Sequence, residues 1–343
     1  TANHNVPDTG ETVVQHCRVY DMTKPIAGLL GGSGFVGSVI ANRLVNRGYA
    51  VNIYSRKRDH ARHLWLLPDT RIIELDPGYQ EQLNAAVSGC AVLINLIGIL
   101  NEKGDNGEGF HHAHMEITAR AVKACKSNNI PRLLQMSAIN ADSFASSYYL
   151  RSKGEAEKLV LSEQNSRFGA TIFRPSVIFG PDDKFINRFA RLLKMSPGFF
   201  PLACANARFQ PVFVGDVADA VLEALEQVAA AGQRFDLGGP DVMSLQEIVN
   251  YVAAVIDRPT IVIPLGGALS SFQANLLEYF PGKPFSRDNL RSTQEDSVCG
   301  PNNALEQLGI RPTPMDQIVP QYLGGERIRN RYYGYRSEAR RDD

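Results

Sequence analysis

The chain has no Cys-x-x-Cys pair; its five cysteines, Cys17, Cys90, Cys125, Cys204 and Cys299, each stand alone. That spacing argues against a structural zinc site and for a reducing compartment rather than a disulfide-stapled fold. Net charge is also missing, because 36 basic residues balance 36 acidic ones. A balanced chain offers no electrostatic footprint for nucleic acid, so no such partner is expected. Long hydrophobic runs are absent as well. The longest, Ala91 to Leu100, is broken by Asn95 and Gly98 and falls short of the roughly 20 residues that cross a bilayer. It reads as a buried parallel strand. With 343 residues, 44% of them apolar, the chain is long enough for a nucleotide-binding domain and a smaller second lobe.

What is present begins at Gly31-Gly32-Ser33-Gly34-Phe35-Val36-Gly37, directly after the apolar run Ile26 to Leu30. A strand that turns on glycines into a helix is the phosphate-cradling start of a βαβ nucleotide unit. Gly31 suits the tight turn, Gly34 lets the backbone approach a pyrophosphate, and Gly37 lets the helix sit close to the strand. Residues 38–48 carry apolar side chains at helical spacing, and Ala50 to Tyr54 reads as the second strand. That strand ends in Ser55, where an NAD site usually carries an acid, and Arg56-Lys57-Arg58 follow. Guanidinium forks at this place favour the 2′-phosphate of NADP over NAD. The alternative is a solvated basic loop.

Further along, Asp76 ends a third strand and can accept from the adenine amino group; the alternative is a cap for the helix at 81–87. Leu96, Ile97 and Gly98 leave the buried strand beside the cofactor. Phe110–Asn128 reads as one helix whose His111, His112 and His114 lie at a solvated start, with no metal expected. After the strand Arg132 to Met136 come Ser137 and Ala138, then Tyr149 and Lys153 as a Y-x-x-x-K. On a helix, i and i+4 share a face, so the ammonium should lower the phenol's pKa. Tyr148 has no such lysine.

The G-x-x-G-x-x-G with Y-x-x-x-K, then Arg174-Pro175 through Val177 to Gly180-Pro181, Val214-Gly215-Asp216-Val217-Ala218, and Ser286-Arg287-Asp288-Asn289-Leu290 together resemble the extended short-chain dehydrogenase/reductases. About residues 24–325 are similar to one atypical branch, the NADPH-binding accessory subunit of respiratory complex I (NADH:ubiquinone oxidoreductase) and its bacterial homologues. The resemblance implies an α/β fold, a Rossmann-type doubly wound parallel sheet with a smaller mixed C-terminal lobe. It implies NADPH held by Gly31, Ser33, Gly34, Phe35, Val36, Gly37, Ser55, Arg56, Arg58, Asp76, Leu96, Ile97, Gly98, Ser137, Tyr149, Lys153, Pro175 and Val177. Tyr149 and Lys153 would position the cofactor without hydride transfer, since the family's catalytic Ser or Thr falls on Ala138, with Ser137 one residue earlier. The other reading is a free NADP-dependent reductase or epimerase using Tyr149 and Lys153. Partners would be other complex I subunits, on the matrix side of the mitochondrial inner membrane; the alternative location is the bacterial cytoplasm.

The expected division is a 1–23 extension, a nucleotide domain at 24–178 with 207–238 returning to it, a second lobe at 179–206 and 239–325, and an Arg/Tyr tail at 326–343. Met22-Thr23-Lys24-Pro25 reads like a chain start, and residues 1–21 like the end left after removal of a targeting peptide. Leu269, Phe272, Leu276 and Phe280 form a helical stripe expected to cover the second lobe. The tail is expected against partner subunits or membrane lipid headgroups.

Overall fold

Strands rich in branched apolar residues alternate with amphipathic helices, and that alternation folds as a parallel sheet covered on both faces. The computed structural model describes residues 24–278, 285–300 and 303–324. The expected extension at 1–23, the tail at 326–343, and Phe280 lie outside the described residues. The first unit runs β1 (Ile26–Leu30), α1 (Phe35–Asn46), β2 (Ala50–Ser55), β3 (Thr70–Glu74), α2 (Gln80–Ala86) and β4 (Val92–Asn95). It continues through the short α3 (Glu108–Phe110), α4 (Ile117–Ser127), β5 (Arg132–Met136), α5 (Tyr148–Ser162) and β6 (Gly169–Pro175). Later come β7 (Ile178–Phe179), α6 (Ile186–Met195), β8 (Phe199–Leu202), β9 (Arg208–Phe209), β10 (Val212–Phe213), α7 (Val214–Glu226) and β11 (Arg234–Leu237). The chain closes with β12 (Met243–Ser244), α8 (Leu245–Val255), β13 (Ile261–Pro264), α9 (Gly267–Leu277), α10 (Arg287–Ser292), α11 (Ala304–Gln307) and α12 (Met315–Leu323).

Seven strands form one parallel sheet in the order β11-β6-β5-β4-β1-β2-β3. The order reverses between β1 and β4, which opens a crevice at the carboxyl ends of the strands. Successive residues of β1 point to opposite faces, so Leu29 enters one core and Leu30 the other. The first core takes Ile40, Ala41 and Leu44 of α1 and Val217 to Ala224 of α7. The second takes Leu83 of α2, Ala121 to Cys125 of α4 and Val160 of α5. Each large aliphatic side chain so buried contributes about 1.5–3 kcal/mol. Ala304, Leu305 and Leu308 also join the first core, although the range 239–325 was expected in the second lobe. Their short helix packs its apolar side against β11 at the edge of the sheet.

The second lobe has its own core, in which Leu193 of α6, Ile248 and Val252 of α8, Val262 of β13 and Val319 of α12 pack together. A capping box at Ser244 and Glu247 starts α8. Asp216 does more than open α7. Its carboxylate accepts from the Thr313 N–H at 2.7 Å and hydroxyl at 2.8 Å, tying α7 to the chain leading into α12.

Two expectations change. The helix drawn over 110–128 carries a π-helical turn at His111–Glu116, which rotates His114 inward instead of leaving it in solvent. The stripe on α9 does not cover its own lobe: Leu269, Phe272 and Leu276 are 59%, 66% and 51% exposed. The helix turns Ser270 and Ala274 inward instead, since small residues let it lie close to its lobe.

Candidate functional site

The carboxyl ends of β1 and β4 meet at the glycine turn. Gly31 takes φ +79°, and a Cβ there would lie 3.2 Å from the carbonyl carbon of Leu96. The turn closes as the Gly34 N–H donates to the Gly31 carbonyl at 3.0 Å. Gly34 then begins α1 with no side-chain cap, so the first-turn N–H groups of Phe35, Val36 and Gly37 stay available to an anion. At Gly37 a Cβ would come within 2.6 Å of the Gly31 oxygen, which only glycine avoids. Phe35 packs across Gly180, where a Cβ would meet its ring at 3.1 Å.

At the end of β2, Ser55 is buried, and its hydroxyl donates to the Lys57 carbonyl at 2.8 Å and accepts from Ser33 at 3.5 Å. Arg56 and Arg58 are exposed beside it, and no carboxylate pairs with either among the described residues. Asp76 is exposed and forms a local turn, accepting from the Gly78 N–H at 2.9 Å. It does not cap α2, which starts after Tyr79.

The other half of the site rises from α5. Lys153 is buried and its Nζ donates to the Met136 carbonyl at 3.0 Å. Burial brings its pKa down to about 8, with Glu157 one turn on opposing the fall. Burial pushes Tyr149 up to about 12. The expected lowering by the ammonium is therefore reversed. The lysine is engaged with main chain, and the phenol lies edge-on to Phe110 and His114 at 5.9 and 5.5 Å, where desolvation outweighs charge. A Cβ on Gly98 would meet Lys153 Nζ at 3.2 Å and His114 Nε2 at 3.4 Å. Ser137 is buried and its hydroxyl has no partner among the described residues. An orphaned buried hydroxyl one residue after the carbonyl that holds Lys153 fits a polar ligand that completes it. Pro175 and Val177 stand at the end of β6, their carbonyls accepting from Ile139 and Val212.

Three residues take roles here that the sequence did not give them. His114 is buried; its Nε2 accepts from the Ile99 N–H at 3.0 Å, so Nδ1–H faces the Ser152 hydroxyl at 2.8 Å. Glu157, at the next i+4 step after Lys153, is buried between Arg174 and Arg234; the Y-x-x-x-K-x-x-x-E spacing was the available signal. Asp288 reaches the start of α5 from the second lobe. No group of three His, Cys, Asp or Glu side chains could hold a metal among the described residues.

The buried imidazole gives a pH prediction. Burial first, and Lys153 second, hold His114 down to about 2. Below about pH 6.5 the unfolded imidazole takes a proton that the folded one refuses, so stability falls as pH falls through that window. At pH 5 the loss relative to pH 7.5 should be about 2 kcal/mol. His114→Gln should flatten that difference in urea denaturation at the two pH values; an unchanged slope would refute the assignment.

Comparison with known proteins agrees with this geometry. The model of the NAD dependent epimerase/dehydratase family matches residues 28–238. The NADH dehydrogenase [ubiquinone] 1 alpha subcomplex subunit 9 of Arabidopsis thaliana is 30% identical over 88% of this chain and 75% of that protein. The NADH-ubiquinone oxidoreductase 40 kDa subunit of Neurospora crassa is 27% identical over 90% of this chain and 80% of its own length. Among solved structures, the UDP-glucose 4-epimerase of Thermus thermophilus in complex with NAD superposes with a TM-score of 0.67 at 19% identity, covering 88% of this chain and 99% of that one. By the glycine turn, the seven-stranded sheet and these matches, the chain belongs to the NAD dependent epimerase/dehydratase family, alongside the alpha subcomplex subunit 9 proteins.

Proposed function

We propose that this chain is a non-catalytic accessory subunit of respiratory complex I that holds NADPH as a structural cofactor. One observation carries the reading: the glycine turn leaves the first-turn N–H groups of α1 open to an anion, while the pair that would move a proton is tied off. Lys153 is bonded to the Met136 carbonyl and Tyr149 is held near 12, too high to exchange a proton readily at neutral pH. NADPH supplies a hydride to carbonyl substrates when an oxidoreductase binds it. Here the first turn of α1 would take the pyrophosphate, Arg56 and Arg58 the 2′-phosphate, and Tyr149, Lys153 and Ser137 the nicotinamide half. Pro175 and Val177 would line that end.

The subunits named above are relatives over most of this chain, which supports other complex I subunits as its partners. The location that follows is peripheral, on the matrix side of the inner membrane; a bacterial relative would place it in the cytoplasm. No helix among the described residues is long and apolar enough to cross a membrane. From Pro259 to Leu277 there is no charged residue, and Ile261 and Ile263 of β13, Phe199 of β8, and Leu269, Phe272 and Leu276 of α9 are exposed. Depletion of charge at a patch centre is the mark of a protein interface core, so this face is assigned to a partner subunit. The Arg/Tyr segment at 326–343 is proposed to meet partner subunits or lipid headgroups.

Tyr149→Phe should leave NADPH bound and the host complex fully active, read by cofactor content and NADH oxidation rate. NADPH consumption with a small carbonyl or nucleotide-sugar substrate, abolished by that change, would instead make the chain a reductase or epimerase that uses the intact Tyr149–Lys153 pair.

A further inference from the structure

The helix carrying Tyr149 and Lys153 is fastened at its start by a residue about 140 positions away in sequence. Asp288 is buried, and its carboxylate accepts from the Ser147 hydroxyl at 3.0 Å, the Tyr148 N–H at 2.8 Å and the Tyr149 N–H at 3.0 Å. Those two N–H groups belong to the first turn of α5 and have no carbonyl partner within the helix. Ser147 is the N-cap, accepting from Leu150 N–H at 3.3 Å, so Asp288 stands behind the cap and fixes it. A negative charge at this end also meets the positive end of the helix dipole.

The same short segment holds the opposite wall. Arg291 donates to Asp288 at 3.0 Å, pairs with Asp105, and lies 4.9 Å from the centre of the Tyr148 ring. Arg287 pairs with Asp105 at 3.4 Å, and Asn289 donates to the Leu100 carbonyl at 3.4 Å. Leu100 lies two residues after Gly98, and Asp105 five residues further along the same loop. One turn of helix from the second lobe therefore sets the distance between the 96–98 edge and the first turn of α5. Tyr149 sits in that first turn, whereas the glycine turn lies between β1 and α1 and Arg56 follows β2.

We propose that Asp288 is a positioning residue of the nucleotide site, placing Tyr149 and Lys153 against Gly98 so that the second lobe governs the grip on the nicotinamide half of the cofactor. The assignment rests on the NADP reading of the site. It separates from an ordinary stabilising cap by which half of the ligand feels the change. Adenosine 2′,5′-bisphosphate keeps the 2′-phosphate and adenine but has no nicotinamide, so it reports on Arg56, Arg58 and the glycine turn alone.

The experiment measures binding of NADPH and of adenosine 2′,5′-bisphosphate to the full chain and to Asp288→Asn. An amide offers one acceptor oxygen where donors from Ser147, Tyr148, Tyr149 and Arg291 converge, and turns two N–H groups toward them. NADPH should bind about tenfold more weakly and the bisphosphate within about twofold of the intact protein. Equal weakening of both ligands, or no weakening of NADPH, overturns the proposal. If Asp288→Asn does not fold, Asp105→Asn, which leaves the cap in place and frees the 100–105 wall, should give the same NADPH-only loss, smaller in size; its absence also overturns it. An intact protein that binds the bisphosphate but not NADPH overturns the proposal alone, while one that binds neither overturns the NADP reading with it.

Discussion

Arg56→Ala should weaken NADPH binding about tenfold, and the double change with Arg58→Ala by about a hundredfold, while NADH binding hardly moves. The 2′-phosphate is the only difference between the two cofactors, so only contacts made to it can separate them. Ser55 stands where an acid would bond the ribose hydroxyls and repel a phosphate, and its hydroxyl is turned to the Lys57 carbonyl. Both arginines are exposed and lack carboxylate partners among the described residues, which leaves their forks free to pair with phosphate. Exposure also means screening: the preference should shrink as salt rises toward 1 M, where the Debye length is about 3 Å. Titration of cofactor fluorescence on the intact protein is the check. Equal affinities for NADH and NADPH would sink the assignment whatever the variants do.

Gly154→Ala should be the most damaging single methyl in the site, costing about 3 kcal/mol or more of folding stability. Gly154 follows Lys153 on α5, where the helix crosses the 142–143 segment. A Cβ would fall 2.3 Å from the carbonyl carbon of Asp142 and 2.5 Å from the Ser143 nitrogen. All of these are main-chain atoms, so relief requires moving the helix or the loop, and the loop begins at Ser137. Gly267 is the internal control, because nothing lies within 4 Å of the same added atom. Chemical denaturation of the two variants should differ by nearly the whole effect. Similar curves for both would mean that the crossing is looser than the geometry describes.

The nucleotide half was legible because its reasons are local. Gly34 and Gly37 each answer to Gly31 a few residues away, Gly31 to its own φ of +79°, and the strand–helix–strand pattern is a matter of period. The lysine at i+4 from Tyr149 was legible as a spacing. The sign of the tyrosine shift was not, since it depends on how burial competes with charge, and burial comes from Phe110 and His114. His114 escaped because a π-helical turn breaks the 3.6-residue period that placed it in solvent. Asp288 was seen only as part of the run Arg287 to Leu290; its bonds to Tyr148 and Tyr149 span the chain, and no local pattern encodes them. On α9 the period of Leu269, Phe272 and Leu276 read correctly as a stripe. A period says that a face is apolar, not what lies opposite it.

That open face bears on the life of the protein before assembly. An uncharged surface crossing from β13 to α9 is a place where unassembled copies stick to one another. On the proposed assignment, a newly made chain would have a short window in which to meet its complex. Copies that missed it would fall to chaperones and proteases, so the amount of the protein in a cell would be governed by how much of that assembly is available to receive it.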